Sequence, residues 1–458
     1  MGMERLTAWA NRVLPASLRG SETAKAAGLA GAALAANVLA LAFTVVFARL
    51  LGAEDYGSLA ALVSSFLILS VPGAALQVAV AREAALGRLG RGGALTATVG
   101  HWITRLSVAS VAILAASLLL RGQLASVVGV EEEWAAAGTV PAGCCWLLLC
   151  VMRGALQGLH AYRAVGLSIV GEAIGRLVFG LALVGAGAGV TGAYLGTPLS
   201  MLAAAGVLVV VLRARAGPSD HGPERRRLRT LAAETWGPVA GLTLIAVLQN
   251  VDVIVVKHQV GGDSAGSYAA AAVAAKANVW VAIGVGFHLV PETARRTREG
   301  ESTRPALWRS LAIVGALAVP ALAIFSLVPH LLLEVAFGSD LTEADSALPV
   351  LGLAMSLLAC SYLVVQYLLA LGRRRFLVPL SILALLEPLL LLVTGVTELV
   401  SFAAIVLCLQ AATAAVLLGF GARTEGAAGR LGPAATVPPA PSPSPAPPPP
   451  TPAPGRGL

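Results

Sequence analysis

Twelve apolar stretches of about 20 residues follow one another along the chain, and short polar segments separate them. A stretch of this length is enough to carry an α-helix across the hydrocarbon layer of a membrane. The pattern predicts twelve spans, at 26–48, 57–80, 101–120, 134–152, 164–186, 190–212, 236–257, 266–290, 307–330, 347–371, 377–396 and 399–421. The connection Gly185–Thr191 is so short that one broken helix is the alternative there, and it would invert every later span.

The amino-acid composition indicates the same class of protein. Apolar residues make up 57% and charged residues 12% of the 458 residues, and the mean hydropathy is +0.82. A soluble domain has about 25% charged residues, so this chain lacks the polar surface that a soluble protein needs. The five cysteines lie within apolar stretches without metal-ligand spacing, which indicates small packing residues. The predicted fold class is an all-α polytopic membrane protein.

Basic and acidic residues alternate between successive loops. With the N-terminus inside, most of the 32 lysines and arginines, among them Arg153, fall in cytoplasmic segments, whereas acidic groups such as Glu131–Glu133 fall outside. Short cytoplasmic loops of membrane proteins carry such an excess of positive charge. We therefore predict both termini in the cytoplasm and a multi-pass protein of a bacterial cytoplasmic membrane. The basic residues form no single patch, so the net charge of +8 does not indicate nucleic-acid binding.

The spans and loops divide the chain into five parts. These are a cytoplasmic N-terminal segment, 1–25, an N-lobe of six spans, 26–212, a basic cytoplasmic inter-lobe loop, 213–235, a C-lobe of six spans, 236–421, and a cytoplasmic tail, 422–458. The tail contains the proline-rich run Pro438–Pro454, which favours disorder because it cannot build a core. This run is either a docking site for a partner or a dispensable low-complexity segment.

The two halves share a pattern at their first hairpin. Glycines and acidic residues recur at one fixed offset, which pairs Gly52 with Gly261, Glu54 with Asp263, Gly57 with Gly266 and Glu83 with Glu292. An even number of spans separates the two hairpins, so the halves have the same topology and an axis normal to the membrane would relate them. The alternative is a chance similarity between two stretches that are rich in glycine and alanine.

These hairpins carry a resemblance to a known family. The run ARLLGAEDYGSLAAL at Ala48–Leu62, and QNVDVIVVKHQVGGDSAGSYAAAAVAAKANVW at Gln249–Trp280, resemble the hairpins that open each half of bacterial polysaccharide-export flippases. Those proteins belong to the multidrug/oligosaccharidyl-lipid/polysaccharide (MOP) flippase superfamily. The similarity extends over nearly the whole chain except the tail.

The resemblance implies a function as well as a fold. It implies two six-helix lobes around a central cavity, and transfer of an undecaprenyl-diphosphate-linked oligosaccharide or polysaccharide precursor between leaflets by alternating access. The implied partners are membrane lipids, the lipid-linked glycan, and the polymerase or glycosyltransferases of the pathway. Two alternatives remain: a cation-coupled multidrug antiporter of the same superfamily, and a non-transporting scaffold of a polysaccharide-assembly complex. The antiporters usually depend on an acid in the N-terminal lobe, commonly in the first span, where this chain has Asn37 and no carboxylate.

Several polar side chains within the spans are candidates for binding the substrate. A charged residue in the bilayer usually faces a cavity or a partner, because insertion costs about 2.5–3.5 kcal/mol. Lys276 is either a cation that contacts a lipid diphosphate or the partner of Asp252 in a structural ion pair. The other candidates for lining a cavity are Arg176, Arg49, Arg82, Asn37, Gln249 and Asn250. Arg49 and Arg82 close their spans, so they are alternatively anchors at the membrane surface.

Three acids within the spans are candidates for coupling to H+ or Na+, or for ion pairs. Glu172 lies four residues before Arg176, a spacing that lets the two neutralise each other. Asp252 is the acid of the seventh span, and Glu387 precedes Pro388 in the eleventh, where a locally satisfied carboxyl at a kink is the alternative. The sequence has no glycine-rich phosphate loop and no metal or nucleophile pattern. It therefore predicts a transporter without a cofactor rather than an enzyme.

Overall fold

The computed structural model describes residues 22–90, 93–215 and 228–423, which form helices and their connections without a strand. Within these residues, twelve helices are long and apolar enough to cross a membrane: Gly28–Leu51, Ala53–Ala85, Gly93–Leu119, Glu133–Gly158, Tyr162–Gly185, Gly189–Ala214, Trp236–Gln259, Gly262–Glu299, Arg304–Leu327, Leu348–Ala370, Leu377–Thr394 and Leu399–Arg423. The twelve predicted spans are confirmed. The predictions for residues 1–21, for 216–227 of the inter-lobe loop and for the tail beyond 423 lie outside the described residues.

The connections define two faces of the molecule. An even number of spans places both ends of the described chain on one face, which we name the terminal face. The opposite face, the distal face, carries the hairpin between the first and second spans. The short helix Leu228–Glu234 lies on the terminal face by chain order, and Arg121–Val128, Pro329–Phe337 and the 3-10 turn Ser339–Leu341 lie on the distal face.

Each set of six spans encloses its own apolar core. Phe47 and Tyr194 are fully buried in the first set, and Tyr268 and Phe402 are fully buried in the second. The protein is therefore built from two six-helix lobes, as the sequence predicts.

The fifth and sixth spans are two separate antiparallel helices. The fifth ends at Gly185 and the sixth begins at Gly189. They approach so closely that a Cβ added to Gly196 would lie 2.6 Å from the backbone nitrogen of Gly180. Small residues permit such contact between membrane helices. The alternative of one broken helix is wrong, and the span count is unchanged after this point.

The second and eighth spans are long, equivalent helices of the two lobes. Gly52 and Gly261 precede them with φ angles of 81° and 65°, which glycine adopts without strain. The spans contain 33 and 38 residues, or about 50 and 57 Å of helix, against a hydrocarbon layer of about 30 Å. The eighth span consists of two segments, Gly262–Ala275 and Ala277–Glu299, which meet at Lys276.

The lobes touch near the distal face, where the repeat-equivalent Gly57 and Gly266 meet. A Cβ on Gly57 would lie 3.0 Å from the nitrogen of Gly266, and a Cβ on Gly266 would lie 1.8 Å from the carbonyl oxygen of Ala53. The contact is therefore one of backbone against backbone. Four N-lobe residues join the buried cluster of the C-lobe, and all lie in this segment: Ala48, Ala53, Tyr56 and Ala60.

Hydrogen bonds cross between the lobes in both directions at the same face. Lys257 Nζ of the seventh span donates to the carbonyl oxygen of Glu54 at 3.2 Å, and Arg49 of the first span donates to the carbonyl oxygen of Val335. Burial raises the pKa of Glu132 near this contact, and the charge of Lys257 opposes the rise. Each lobe thus holds the other through a basic residue in the last turn of its first span.

Toward the terminal face, each long span packs on its own lobe instead. On the second span, Gln77 and Ala84 lie so close to the fourth span that a Cβ on Gly154 or Gly158 would overlap them. On the eighth span, Gly286 lies against Tyr362 of the tenth. The lobes therefore diverge from the distal contact and leave space between them.

We expect Gly266→Ala to open the distal contact, because the new methyl group would overlap the backbone of Ala53. Spin labels at the exposed positions Glu131 and Asp263, in a cysteine-free background, report the distance between the lobes at this face. The distance should increase in Gly266→Ala and stay unchanged in Gly284→Ala, a control on the same span whose Cβ would meet nothing within 4 Å. An unchanged distance in both variants would contradict the contact.

Candidate functional site

A cavity of about 260 Å³ lies between the two lobes. The first, second and fifth spans line it from the N-lobe, and the seventh and eighth spans line it from the C-lobe. Most of the wall is apolar. Its charged and amide side chains are Asn37, Arg176, Gln249 and Lys276, and no aspartate or glutamate is among the described lining residues. The cavity therefore has two positive side chains and no negative one in its wall.

Lys276 lies where the two segments of the eighth span meet. Its carbonyl oxygen accepts the N–H groups of both Val279 and Trp280, at 3.0 and 3.2 Å, which tightens the turn. Its side chain is 5% exposed, and Nζ donates to Oδ1 of Asn250 at 3.1 Å. An amide oxygen orients the ammonium group but adds no negative charge. Lys276 therefore has a neutral hydrogen-bond partner at the cavity wall.

The predicted ion pair between Lys276 and Asp252 is not formed among the described contacts. Asp252 is fully buried, and its Oδ2 accepts a hydrogen bond from the hydroxyl of Tyr268 at 3.1 Å. Asn250 and Asp252 are two residues apart, so they point to different sides of the seventh span. Lys276 forms its hydrogen bond with Asn250, and Asp252 forms its own with Tyr268.

Arg176 extends from the fifth span into the cavity. Its guanidinium lies over the ring of Phe43 at 5.0 Å, a cation–π contact. Its Nε is buried without a hydrogen-bond partner in the described part of the chain. The aromatic ring holds the guanidinium in place and leaves donors free.

The predicted pair of Glu172 with Arg176 is also not formed. Glu172 lies 3.8 Å from Nη2 of Arg153, on the fourth span. Arg153 also donates to the hydroxyl and to the carbonyl oxygen of Ser168, at 3.0 and 2.9 Å. Arg176 faces the first span and the cavity, so Glu172 pairs with Arg153 of the fourth span instead. Arg153 was predicted in a cytoplasmic segment, but the fourth helix runs to Gly158 and buries it.

The remaining predicted cavity residues divide into two groups. Asn37 and Gln249 line the cavity. Asn250 is 2% exposed and contacts Lys276 from behind the wall. Arg49 and Arg82 are not among the lining residues, and Arg49 instead joins the lobes at the distal face.

A second polar cluster lies inside the C-lobe, behind the cavity wall. Gln410 of the twelfth span donates to Oε2 of Glu387 at 3.0 Å and to the carbonyl oxygen of Leu248 at 2.9 Å. Glu387 and Asp252 are fully buried. Three buried oxygens lack a partner among the described residues: Oδ1 of Asp252, Oε1 of Glu387 and Oε1 of Gln410. An unpaired buried carboxylate is costly, so this cluster favours a bound proton or cation.

Sequence reasoning did not identify Phe43, Arg153, Gln410 or Trp280 as site residues. Trp280 lines the cavity one helical turn after Lys276, and this spacing was a signal in the sequence. The partners of Arg176 and Glu387 come from other spans, and their identity needs the packing of the helices.

Comparison with protein families identifies the chain. A family described as "Polysaccharide biosynthesis protein" matches residues 23–283, more than half of the sequence. The chain belongs to this polysaccharide biosynthesis family. No curated protein matches the sequence.

Solved structures resemble the fold of this chain over most of its length. An inward-facing multidrug-resistance MATE transporter of the MOP superfamily matches with a TM-score of 0.70 and 16% identity, over 87% of this chain and 96% of that one. The lipid II flippase MurJ, in an inward closed conformation, matches with a TM-score of 0.68 and 14% identity, over 86% of this chain and 87% of that one. An outward-facing MATE transporter matches with a TM-score of 0.59 and 16% identity, over 90% of this chain and 97% of that one. This member of the polysaccharide biosynthesis family therefore has the fold of MOP-superfamily transporters.

Arg153 and Arg176 should differ in their effect on stability. We expect Arg153→Met to lower the free energy of unfolding by about 3–5 kcal/mol, because it leaves Glu172 buried without its partner. Arg176→Met removes no ion pair and should unfold near the wild-type temperature. Thermal unfolding of the purified proteins measures both. The double variant Arg153→Met/Glu172→Leu should recover most of the loss, and equal midpoints for the two single variants would contradict this assignment.

Proposed function

We propose that the protein is a flippase that moves a lipid-diphosphate-linked oligosaccharide or polysaccharide precursor across the bacterial cytoplasmic membrane by alternating access. The observation that carries this proposal is the cavity between the lobes, with Arg176 and Lys276 in its wall and no acid among the described lining residues. The membership in the polysaccharide biosynthesis family supports a glycan precursor as the substrate.

The two cations suit a diphosphate. An ammonium group acts as a point-charge ligand for phosphate, and a guanidinium offers several donors in a fixed plane. Lys276 is held by a neutral amide and Arg176 by an aromatic ring, and neither forms an ion pair among the described contacts, so both are placed to bind a phosphate. Two positive charges are enough to balance the two charges of a diphosphate diester.

The geometry of the lobes supports an assignment of one state of the proposed transport cycle. The lobes meet at the distal face through Gly57 and Gly266 and diverge toward the terminal face. The excess of basic residues in the loops of the terminal face favours a cytoplasmic location for that face. The described conformation is then open to the cytoplasm, ready to accept the precursor from the inner leaflet. Rocking of the two lobes would close that side and open the distal one.

The alternatives fit the cavity less well. A multidrug antiporter for organic cations needs negative charge in its cavity, whereas the charged lining residues here are basic. A scaffold that transports nothing has no need of Lys276 and Arg176 at an internal wall. The proposed partners are membrane lipids, the lipid-linked glycan, and the polymerase or glycosyltransferases that make and use it. The flippase itself performs no covalent chemistry and needs no cofactor.

We also propose that Glu387 and Asp252 couple transport to an ion gradient. Both acids are buried in the C-lobe, Glu387 accepts a hydrogen bond from Gln410, and Oδ1 of Asp252, Oε1 of Glu387 and Oε1 of Gln410 lack a partner among the described residues. Asp252 lies two residues from Asn250, the residue that holds Lys276. Binding of H+ or Na+ at the acids would move the seventh span and thereby Asn250. Ion binding at Glu387 and Asp252 would in this way change the position of Lys276 in the cavity wall.

We expect Lys276→Ala to weaken the binding of undecaprenyl diphosphate to the purified protein about 10- to 100-fold, because a charged hydrogen bond to phosphate is lost. Cells that carry only this variant should accumulate lipid-linked precursor on the cytoplasmic leaflet at normal protein levels. Arg176→Ala should act in the same direction.

Arg105→Ala is the matched control, because Arg105 is an exposed residue of the third span outside the cavity. It should leave binding and transport unchanged. Wild-type binding by Lys276→Ala, or an equal loss in Arg105→Ala, would remove Lys276 from the site. A normal precursor distribution in cells without the protein would reject the flippase.

We expect Glu387→Gln to abolish the response of transport to an ion gradient without changing the affinity for undecaprenyl diphosphate. The amide keeps the shape of the side chain but takes no proton and binds Na+ weakly. Flipping of a labelled lipid-linked glycan in proteoliposomes, with an imposed pH or Na+ gradient, measures the response. Glu398→Gln, at an exposed acid between the eleventh and twelfth spans, is the control. A variant that still responds to the gradient would exclude Glu387 as the coupling acid.

A further inference from the structure

Trp280 is an exposed aromatic residue in the wall of the cavity. Its side chain is 44% exposed, and it lines the same cavity as Lys276. No ring contact or side-chain hydrogen bond engages its indole within the described residues. The flat ring is therefore free on the cavity side.

Trp280 differs in position from the other exposed tryptophans of the described residues. Trp134, Trp236 and Trp308 lie within the first five residues of their helices, as interface anchors do, and none of them lines the cavity. Trp280 lies in the middle of the 38-residue eighth span and lines the cavity. Its place in the cavity wall distinguishes it from the anchors.

The position of Trp280 relative to Lys276 is defined by the helix. The two residues are four apart, so they share one face of the eighth span, and the ring lies about 6 Å closer to the terminal face. Both side chains line the same cavity. A ligand whose diphosphate contacts Lys276 can therefore place its next chemical group over the indole.

We propose that Trp280 is the platform on which the first sugar of the lipid-linked glycan stacks. This inference rests on the proposed function and identifies the part of the substrate that the eighth span recognises beyond the diphosphate. The C–H faces of a pyranose ring are apolar, and an indole ring offers a flat apolar surface of similar width together with one N–H donor. Stacking of this kind selects for a sugar without requiring one particular pattern of hydroxyl groups.

The opposite wall supplies a polar group for the edge of the sugar. Asn37 of the first span lines the cavity and is exposed there, at about 21 Å from the distal end of its helix. This is the depth of Lys276, which lies 14 residues from the distal end of the eighth span. An amide both donates and accepts hydrogen bonds, so it suits hydroxyl and acetamido groups. The sugar subsite therefore has an aromatic face on the C-lobe and an amide on the N-lobe.

The size of the cavity agrees with a subsite for one sugar. Pockets that enclose a whole ligand have volumes of about 300–1,000 Å³, and this cavity has about 260 Å³. It accommodates a diphosphate and the sugar next to it, and the rest of the glycan extends through the opening toward the terminal face. Recognition is then confined to the part that different glycans on the same carrier have in common.

The test compares two probes on one set of purified proteins. The probes are undecaprenyl diphosphate and undecaprenyl diphosphate that carries one N-acetylglucosamine, and the measurement is the Kd of each. In the wild type, the sugar should tighten binding about 5- to 10-fold. Trp280→Leu should lose this gain while its Kd for the bare lipid stays unchanged, because leucine fills space without a flat ring. Trp280→Phe should retain most of the gain.

Trp308→Ala is the matched control, since it removes an exposed tryptophan outside the cavity, and it should preserve both Kd values. The inference is overturned if Trp280→Leu weakens both probes equally, or if the wild type gains nothing from the sugar while it binds the bare lipid. A wild type that fails to bind undecaprenyl diphosphate at all would instead reject the proposed function. Thermal unfolding of each variant identifies a loss that comes from misfolding.

Discussion

A charged side chain inside a hydrocarbon layer must find a partner, a polar group or water, and this requirement governs how the helices of this protein face one another. Arg153 has Glu172 and Ser168 as partners, buried between the fourth and fifth spans of the N-lobe. The ammonium group of Lys276 has the amide of Asn250 as its partner, and the guanidinium of Arg176 has the ring of Phe43. Only the last two arrangements involve no ion pair among the described contacts, and both lie at the cavity. The same requirement that orients the helices therefore places two basic side chains in the cavity wall.

The two lobes have similar backbones but different side chains at equivalent positions. At the offset that aligns Gly57 with Gly266, Lys276 corresponds to Leu67, and both residues line the cavity. The same offset aligns Asp252 with Phe43, the ring beneath Arg176. The repeat supplies a similar backbone frame for the two lobes. The differences between equivalent positions supply the charged and amide groups of the cavity, with Asn37 and Arg176 in the N-lobe and Gln249 and Lys276 in the C-lobe.

The sequence allowed much of the fold to be predicted, and less of the site. Spans of about 20 apolar residues have few ways to satisfy their backbone in a membrane, so hydropathy located all twelve. The site depends on contacts between distant spans, which no local pattern encodes. Glu172 has an arginine one turn away and another on the fourth span, and only the packing shows that it pairs with Arg153. Lys276 and Gln249 could be identified because polar residues are rare in such spans.

The contact of Gly57 with Gly266 also bears on the history of the chain. In a homodimer with twofold symmetry, a residue on the axis meets its own copy, and a close approach of the two backbones there leaves no room for a side chain. The equivalent positions Gly57 and Gly266 are close neighbours here. An ancestor of six spans that paired with itself before its gene was duplicated would already have required glycine at this position. Fusion of the two copies would then have preserved both glycines, because each remained the neighbour of the other.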